Sequence, residues 1–477
     1  AAGRGGKPGH CPAGHETIGS PPWRGLRHLR AVASPAPEPS SAAPARPAAE
    51  RLPALDALRG FALLGILLLN IVGFGLYFEA YDTPTAAGGA TGPNLWTWFA
   101  LHVFAEGQMR CLFSLVFGAS AVLFLARLEG RPDAADLYYR RTLWLLAFGI
   151  AHSYLLWQGE ILYPYAVCGL LLYPFRRMSA RGLIGCAAAA MLATCGWSPA
   201  NGRHTRAVMA TGEAALAKEA QQQALTKDEA EARDEWVELR DRRNPSPEEL
   251  AEDAARWRGH AFQVIAARAE LVMRWQSIPL YHYAALDILG MMLLGMALLK
   301  LDVVTGRRPP GFYLRLAAAG YLVGLPVNVS TGLAVIRSGF DPAVQSYTFA
   351  LYDVGRLAMA CGHMGLILLL CRLGRPAGLL RRLAAVGQTA FSNYVLQSVV
   401  CAFLFTGYGL GLYGRLQRFD LYYVVVALWA VHLLVSPVWL RHFRFGPLEW
   451  AWRSLTYWQR QPLRRPPAGT MPQLSAT

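Results

Sequence analysis

The sequence predicts an all-α, polytopic integral membrane protein: about ten transmembrane helices with one extracytoplasmic helical insertion. Three observations carry this. Apolar stretches of roughly 17–25 residues, the length that crosses ~30 Å of hydrocarbon as a helix, recur from Leu55 onward. With 54% hydrophobic and 16% charged residues, the 477-residue chain has too little polar surface for a soluble protein. Lysine and arginine gather in alternate loops, as in a bundle threaded back and forth through a membrane.

Residues 1–50, rich in Pro, Ala, Gly, Ser and Arg, hold no apolar run able to pack and are read as a disordered tail. The chain begins at Ala1 rather than Met, so no function is taken from this tail. The expected spans are 55–78, 103–126, 142–158, 161–175, 182–198, 279–299, 312–335, 347–371, 384–406 and 421–440. The fourth and fifth are short and carry Pro164, Pro174 and Gly185, which leaves a tilted or re-entrant arrangement open there. The chain then divides into helices 1–5 over 51–198, the insertion over 199–276, helices 6–10 over 277–458, and a cytoplasmic tail over 459–477. The insertion has mixed charge, and Ser246-Pro247-Glu248-Glu249 reads as a capping box with proline in the first turn. It is expected to be helical, either a cap over the outer mouth or a solvated spacer packed on the bundle.

With the N-terminus inside, the short inner loops hold sixteen Lys and Arg residues, from Arg127 to Arg444, and the short outer loops hold three: Arg337, Arg415 and Arg418. Both termini are therefore expected in the cytoplasm. The net charge of +15 would invite nucleic acid as a partner, but the arginines punctuate apolar runs and form no basic stripe with interleaved aromatics. Nucleic acid is excluded on this reading, and membrane lipids are the expected surroundings. The eight cysteines are scattered without a C-x-x-C pair, so neither a disulfide framework nor a metal site is expected.

Ionisable side chains inside the spans are the functional suspects, since each costs on the order of 2.5–3.5 kcal/mol at the bilayer centre. Asp56 and Arg59 stand one turn apart and can pair, with Asn70 further along the same helix. Glu106 and Arg110, four apart, read as an internal salt bridge. His152 lies on an apolar helix shortly before Trp157 and Glu160; an imidazole beside a carboxylate can act as a general base, and a hydrogen-bonded structural histidine is the competing reading. Tyr281, His282, Tyr283 and Asp287 open the sixth span, and Asp353 and Arg356 the eighth, at a similar outer depth. His363 is a further suspect on the inner half, and Asn393 and Gln397 could line a polar cleft or simply bridge helices. No phosphate-binding loop, H-E-x-x-H or G-x-S-x-G stands in a suitable context, which disfavours ATP-driven transport and the matching hydrolases.

Several blocks resemble one family. They are Leu55-Asp56-x-x-Arg59-Gly60 with Asn70, Leu112-Phe113-Ser114-x-x-Phe117-Gly118, and His152 with Trp157-x-Gly159-Glu160. Further blocks are Met291 to Ala297, Gly387-Gln388-Thr389-Ala390 with Asn393, Tyr394 and Gln397, and the closing Phe443-Arg444-x-Gly446-Pro447-Leu448-Glu449-Trp450-x-Trp452-Arg453. In this order, over residues 51–458, they resemble the YeiB-like family of bacterial inner-membrane proteins, a domain of unknown function. That family is similar, at a distance, to membrane acyltransferases such as heparan glucosaminide acetyltransferase, which share the residues matching Asp56, Arg59, Gly60 and Asn70. The heparan enzyme carries its catalytic histidine in the segment after the first helix, and residues 71–98 hold none here. The family also commonly has aspartate where this chain has Glu160.

The resemblance implies an acyltransferase of the bacterial inner membrane, moving an acyl group from a cytoplasmic acyl-CoA to an envelope acceptor at the outer side, with no tightly bound cofactor. His152 is the expected general base and Glu160 its carboxylate. Asp56, Arg59, Asn70, Trp157, His282, Asp287, Asn393 and Gln397 are the expected substrate contacts. A transporter of small metabolites or lipid-linked precursors is the alternative, and a non-catalytic assembly subunit a third; a transporter would be expected to show two related halves, and no internal repeat is evident.

Overall fold

The computed structural model describes residues 52–195, 197–277 and 280–465, without the side chains of residues 195–200, 282 and 283. Among them there are eighteen α-helices and no strand; an isolated bridge joins Phe443 to Arg464. The first group is α1 (Pro53–Gly75), α2 (Gly92–Phe104), α3 (Gln108–Arg127), α4 (Ala134–Leu155), α5 (Leu162–Leu172) and α6 (Ala180–Cys195). The insertion is α7 (Trp197–Ala220), α8 (Lys227–Arg243), α9 (Pro247–Trp257) and α10 (Ala261–Trp275). The last group is α11 (Ala285–Lys300), α12 (Pro310–Arg337), α13 (Pro342–Thr348), α14 (Tyr352–Leu373), α15 (Ala377–Gln388), α16 (Ala390–Phe405), α17 (Leu421–His442) and α18 (Pro447–Tyr457).

Among the described residues, five segments are both long and apolar enough to cross a bilayer: Pro53–Gly75, Gly92–Arg127, Pro310–Arg337, Pro342–Leu373 and Leu421–His442. Ala180–Thr194 and Ala390–Phe405 are shorter apolar helices. The chain is an all-helical, multi-pass membrane protein. Five of the ten expected spans, 55–78, 103–126, 312–335, 347–371 and 421–440, fall on these long segments, and two of the ten are interrupted. The second starts earlier, as α2, and is broken at Gly107, whose φ of 72° lies in the left-handed region and whose missing side chain makes room for the Tyr352 hydroxyl. The ninth is divided at Thr389, where the Asn393 amide donates to the Val386 carbonyl at 3.3 Å and to the Thr389 hydroxyl at 3.0 Å.

The helix α1 is central, packing against α3, α14, α15, α16 and α17. Its Leu58, Leu63 and Ala62 are fully enclosed. α3 lies against α11 at backbone contact: a β-carbon at Gly118 would overlap the Met292 carbonyl, and one at Gly295 the Leu115 carbonyl. Small residues at such a crossing let van der Waals packing substitute for the hydrophobic drive that lipid removes.

The insertion is built from polar helices that need their ends satisfied. The capping box at Ser246–Glu249 is present with Pro247 in the first turn, and a second, at Thr226–Glu229, begins α8. The insertion is tied to the bundle through Arg268, which donates to the Leu155 carbonyl at 2.7 Å, and Arg258, which donates to the Tyr413 carbonyl at 2.8 Å. Tyr413 in turn donates to Asp253 at 2.6 Å, and burial pushes that carboxyl above its ordinary range.

Candidate functional site

Where the insertion meets the bundle there is a cavity of about 620 Å³, a size that suits a small-molecule ligand. Leu69 and Val72 of α1, Tyr81 and Asp82 of the following loop, and Trp98, His102 and Glu106 at α2 line it. Asn328 and Thr331 of α12, Tyr352 and Arg356 of α14, and Arg418 before α17 complete the bundle side. The insertion contributes His204, Glu235, Glu238, Arg242 and Arg243 from α7 and α8.

The polar groups are held by a few specific contacts. Arg356 forms a two-pronged pair with Asp287, one prong at 2.9 Å, and lies 2.6 Å from Asp353 one turn before it. This joins α11 to α14 and neutralises a guanidinium that is only 1% exposed. The Glu106 carboxylate accepts from Tyr81 and Tyr352, both at 3.5 Å. His102 stacks on Trp98, centroids 5.2 Å apart, and its Nε2 lies 3.1 Å from the Thr331 hydroxyl. An imidazole so placed, with an open cavity beside it and a carboxylate four residues on, can take a proton from a hydroxyl or amine.

The expected pairing of Glu106 with Arg110 is absent. The break at Gly107 falls between them, so they are not one helical turn apart; Arg110 reaches the Tyr352 hydroxyl at 3.4 Å instead.

The other expected site residues fall in three places. His152 and Glu160 come together, Nδ1 to Oε2 at 3.7 Å, each 4% exposed, outside the cavity lining. Glu160 accepts the backbone N–H groups of Leu162 at 2.6 Å and Tyr163 at 2.7 Å, capping the start of α5. Neither ring nitrogen of His152 hydrogen-bonds a described residue, and its ring lies against Tyr394. Trp157 stacks on Phe74 of α1, centroids 3.8 Å apart. Asp287 is committed to Arg356 and does not join His152; α11 packs on α3, α5 and α6. The His282 side chain lies outside the described residues.

The third group does not line the cavity. Arg59 is ten residues before Leu69, ~15 Å along α1, and binds Asp56 at 2.6 Å, the Ser120 hydroxyl at 2.8 Å and the Gly387 carbonyl at 3.3 Å. Asn70 is half-buried beside Leu69 in sequence. Asn393 also donates to Ser436 at 3.0 Å, linking α16 to α17, and Gln397 is buried one turn further along α16. His363 is paired with the Tyr321 hydroxyl at 2.9 Å. Two of the family-like blocks meet here: Glu449 of α18 accepts the Phe391 N–H at 2.6 Å and the Ser392 hydroxyl at 2.5 Å at the start of α16.

Sequence reasoning missed His102, Tyr81, Tyr352 and Arg418. His102 carried a usable signal, a histidine four before a carboxylate in an apolar run, but the expected span began one residue after it. Arg418 carries no such signal, because in sequence it stands only as a charge in a short loop.

A multi-pass helical membrane protein with an open cavity between its bundle and a helical insertion is thus the class in hand. Residues 298–459 match the family described as "Protein of unknown function (DUF418)". The chain is 30% identical to the "Uncharacterized protein YeiB" of Escherichia coli (strain K12), over 85% of this chain and 96% of that protein. It is 29% identical to the "Uncharacterized protein YxaH" of Bacillus subtilis (strain 168), over 87% of this chain and 96% of that one. It is 26% identical to an "Uncharacterized 39.9 kDa protein in amylase 3'region" of Bacillus acidopullulyticus, again over 87% and 96%. The chain belongs to this YeiB-like family of membrane proteins.

Proposed function

We propose that this protein is an acyl-CoA-dependent acyltransferase of the bacterial inner membrane, with both termini cytoplasmic and the capped cavity facing outward as the acceptor site. The observation that carries the reading is His102, which presents an imidazole to the cavity with Glu106 on the same wall. His102 removes the proton from the acceptor's hydroxyl or amine as that atom attacks the thioester carbonyl. The carbon–sulfur bond breaks, and the CoA thiolate leaves to be protonated. Acyl-CoA, as donor, supplies the activated carbonyl; the acyl class rests on the residues Asp56, Arg59, Gly60 and Asn70 that resemble the acyltransferases. Histidine then does follow the first helix, as in the heparan enzyme, four residues beyond the stretch that lacks one.

The His152–Glu160 pair supports a second choice of base, because both His152 nitrogens are buried without a hydrogen-bond partner among the described residues. The test is purified protein in nanodiscs with acetyl-CoA and a cell-envelope extract, following free CoA. Release that needs the extract and is lost in His102→Ala is expected. No release with any of several acyl-CoA donors would leave a transporter as the better account.

A further inference from the structure

The arginines of the cavity are unequal. Arg356 is neutralised by Asp287 and Asp353, and Arg242 approaches Glu238 at 3.8 Å. Arg243 and Arg418 bind only uncharged oxygens. Arg243 donates to the Phe340 carbonyl at 2.9 Å and to the Gln345 side chain; Arg418 donates to the Ala80 carbonyl. Among the described residues no carboxylate lies within 4.0 Å of either. Arg418 is 1% exposed and its Nε has no partner among the described residues.

A guanidinium withdrawn from water without a counter-ion is costly, and it is tolerated where a ligand supplies the charge. Arg418 is also one of only three basic residues in the short loops of the insertion side, so charge bias in the membrane topology does not explain it. Its backbone is held in place by neighbours: its N–H donates to the Gly88 carbonyl at 2.9 Å, and the next N–H donates to Asn94 at 2.9 Å. The guanidinium is therefore held in the cavity wall by a braced loop, and guanidinium N–H groups match the oxygens of a phosphate or carboxylate. The cavity's other carboxylates are engaged or set apart. Glu235 faces His204 at 3.1 Å, and Glu106 faces the two tyrosines. Asp82 interacts with both arginines only from beyond ion-pair distance.

We propose that Arg418 and Arg243 hold the anionic group of the cavity's ligand, a phosphate ester or a carboxylate. This rests on the reading of the cavity as the acceptor site and gives that acceptor its chemical class. Asp82 weakens the hold electrostatically, so the three residues have effects of opposite sign.

The test follows thermal unfolding of the purified protein in zwitterionic nanodiscs against inorganic phosphate, succinate and a short-chain phosphatidylglycerol. A saturable rise with phosphate or succinate indicates a soluble anion; a rise with phosphatidylglycerol alone indicates a lipid head group; both support the proposal. Arg243→Gln and Arg418→Lys should each weaken the apparent affinity at least ~10-fold, and Asp82→Asn should strengthen it, which amounts to ~1.4 kcal/mol for a tenfold change. Arg243 is only half-buried, so its variant keeps the test open if Arg418→Lys fails to fold. No saturable rise with any of the three, or rises unchanged in both arginine variants, would overturn the proposal. None of these measurements uses CoA. Anion binding without CoA release therefore removes only the acyltransferase reading, and CoA release without anion binding removes only this one.

Discussion

Two places in the bundle bring a histidine and a carboxylate together, His152 with Glu160 and His102 with Glu106, and they differ in what surrounds them. His152 and Glu160 are close and enclosed; the carboxylate spends both oxygens on backbone N–H groups of α5, and the histidine lies against a tyrosine in the helix packing. His102 and Glu106 are less buried and both line the large cavity, where a hydroxyl of α12 and two tyrosines hold them. A general base must touch its substrate, so access separates the pairs more sharply than proximity does. In the enclosed pair the carboxylate also caps α5, a task that the spacing of His152 and Glu160 in sequence does not reveal.

The largest expected effect concerns which way the cavity opens. Phosphatase reporters fused after residue 225, between α7 and α8, should be active and those after residue 378, in α15, inactive. The reverse pattern would put the cavity on the cytoplasmic side and end its role as an outward acceptor site.

The next effect compares the two pairs directly. His102→Ala should lower the rate of acyl transfer by ~10²–10⁴-fold, the usual contribution of a general base, whereas His152→Ala should cost less than ~10-fold once protein amount is matched. If the two results are exchanged in a CoA-release assay, the enclosed pair is the chemical one.

A third variant probes the scaffold that both pairs share. Gly295→Leu places a side chain where α11 touches the Leu115 carbonyl of α3, and should destabilise the fold by ~3 kcal/mol or more, read as lost folded protein in detergent. Normal yield and melting would mean that α3 and α11 are not at backbone contact.

The smallest effect sharpens the reading of Glu160 as a cap. Glu160→Gln keeps the shape and one acceptor oxygen while losing the second, and should cost ~1–3 kcal/mol in unfolding with little change in the transfer rate per folded molecule. A large drop in rate with unchanged melting would make Glu160 a chemical residue.

Much of the fold was legible because membrane burial leaves a long, one-dimensional signature. Apolar runs of spanning length, the arginines that bound them, and the Ser246 capping box each depend on residues near one another in sequence. The Asp56–Arg59 pair was legible for the same reason, being one turn apart on a straight helix. The Glu106–Arg110 pair obeyed the same rule on paper and failed, because the left-handed Gly107 between them ends the helix that the rule assumes.

What the sequence determined alone was therefore the class of protein, the place of its long apolar helices, and the inventory of ionisable groups that needed explanation. Only the tertiary structure decided which of those groups neutralise one another and which line the cavity without a carboxylate partner among the described residues. Asp287 and Arg356 are 69 residues apart, and Arg418 reaches back 338 residues to the Ala80 carbonyl; no local periodicity encodes such pairings. They depend on which helices become neighbours, and that choice is made by close contacts such as Gly118 and Gly295, whose missing side chains let α3 and α11 approach.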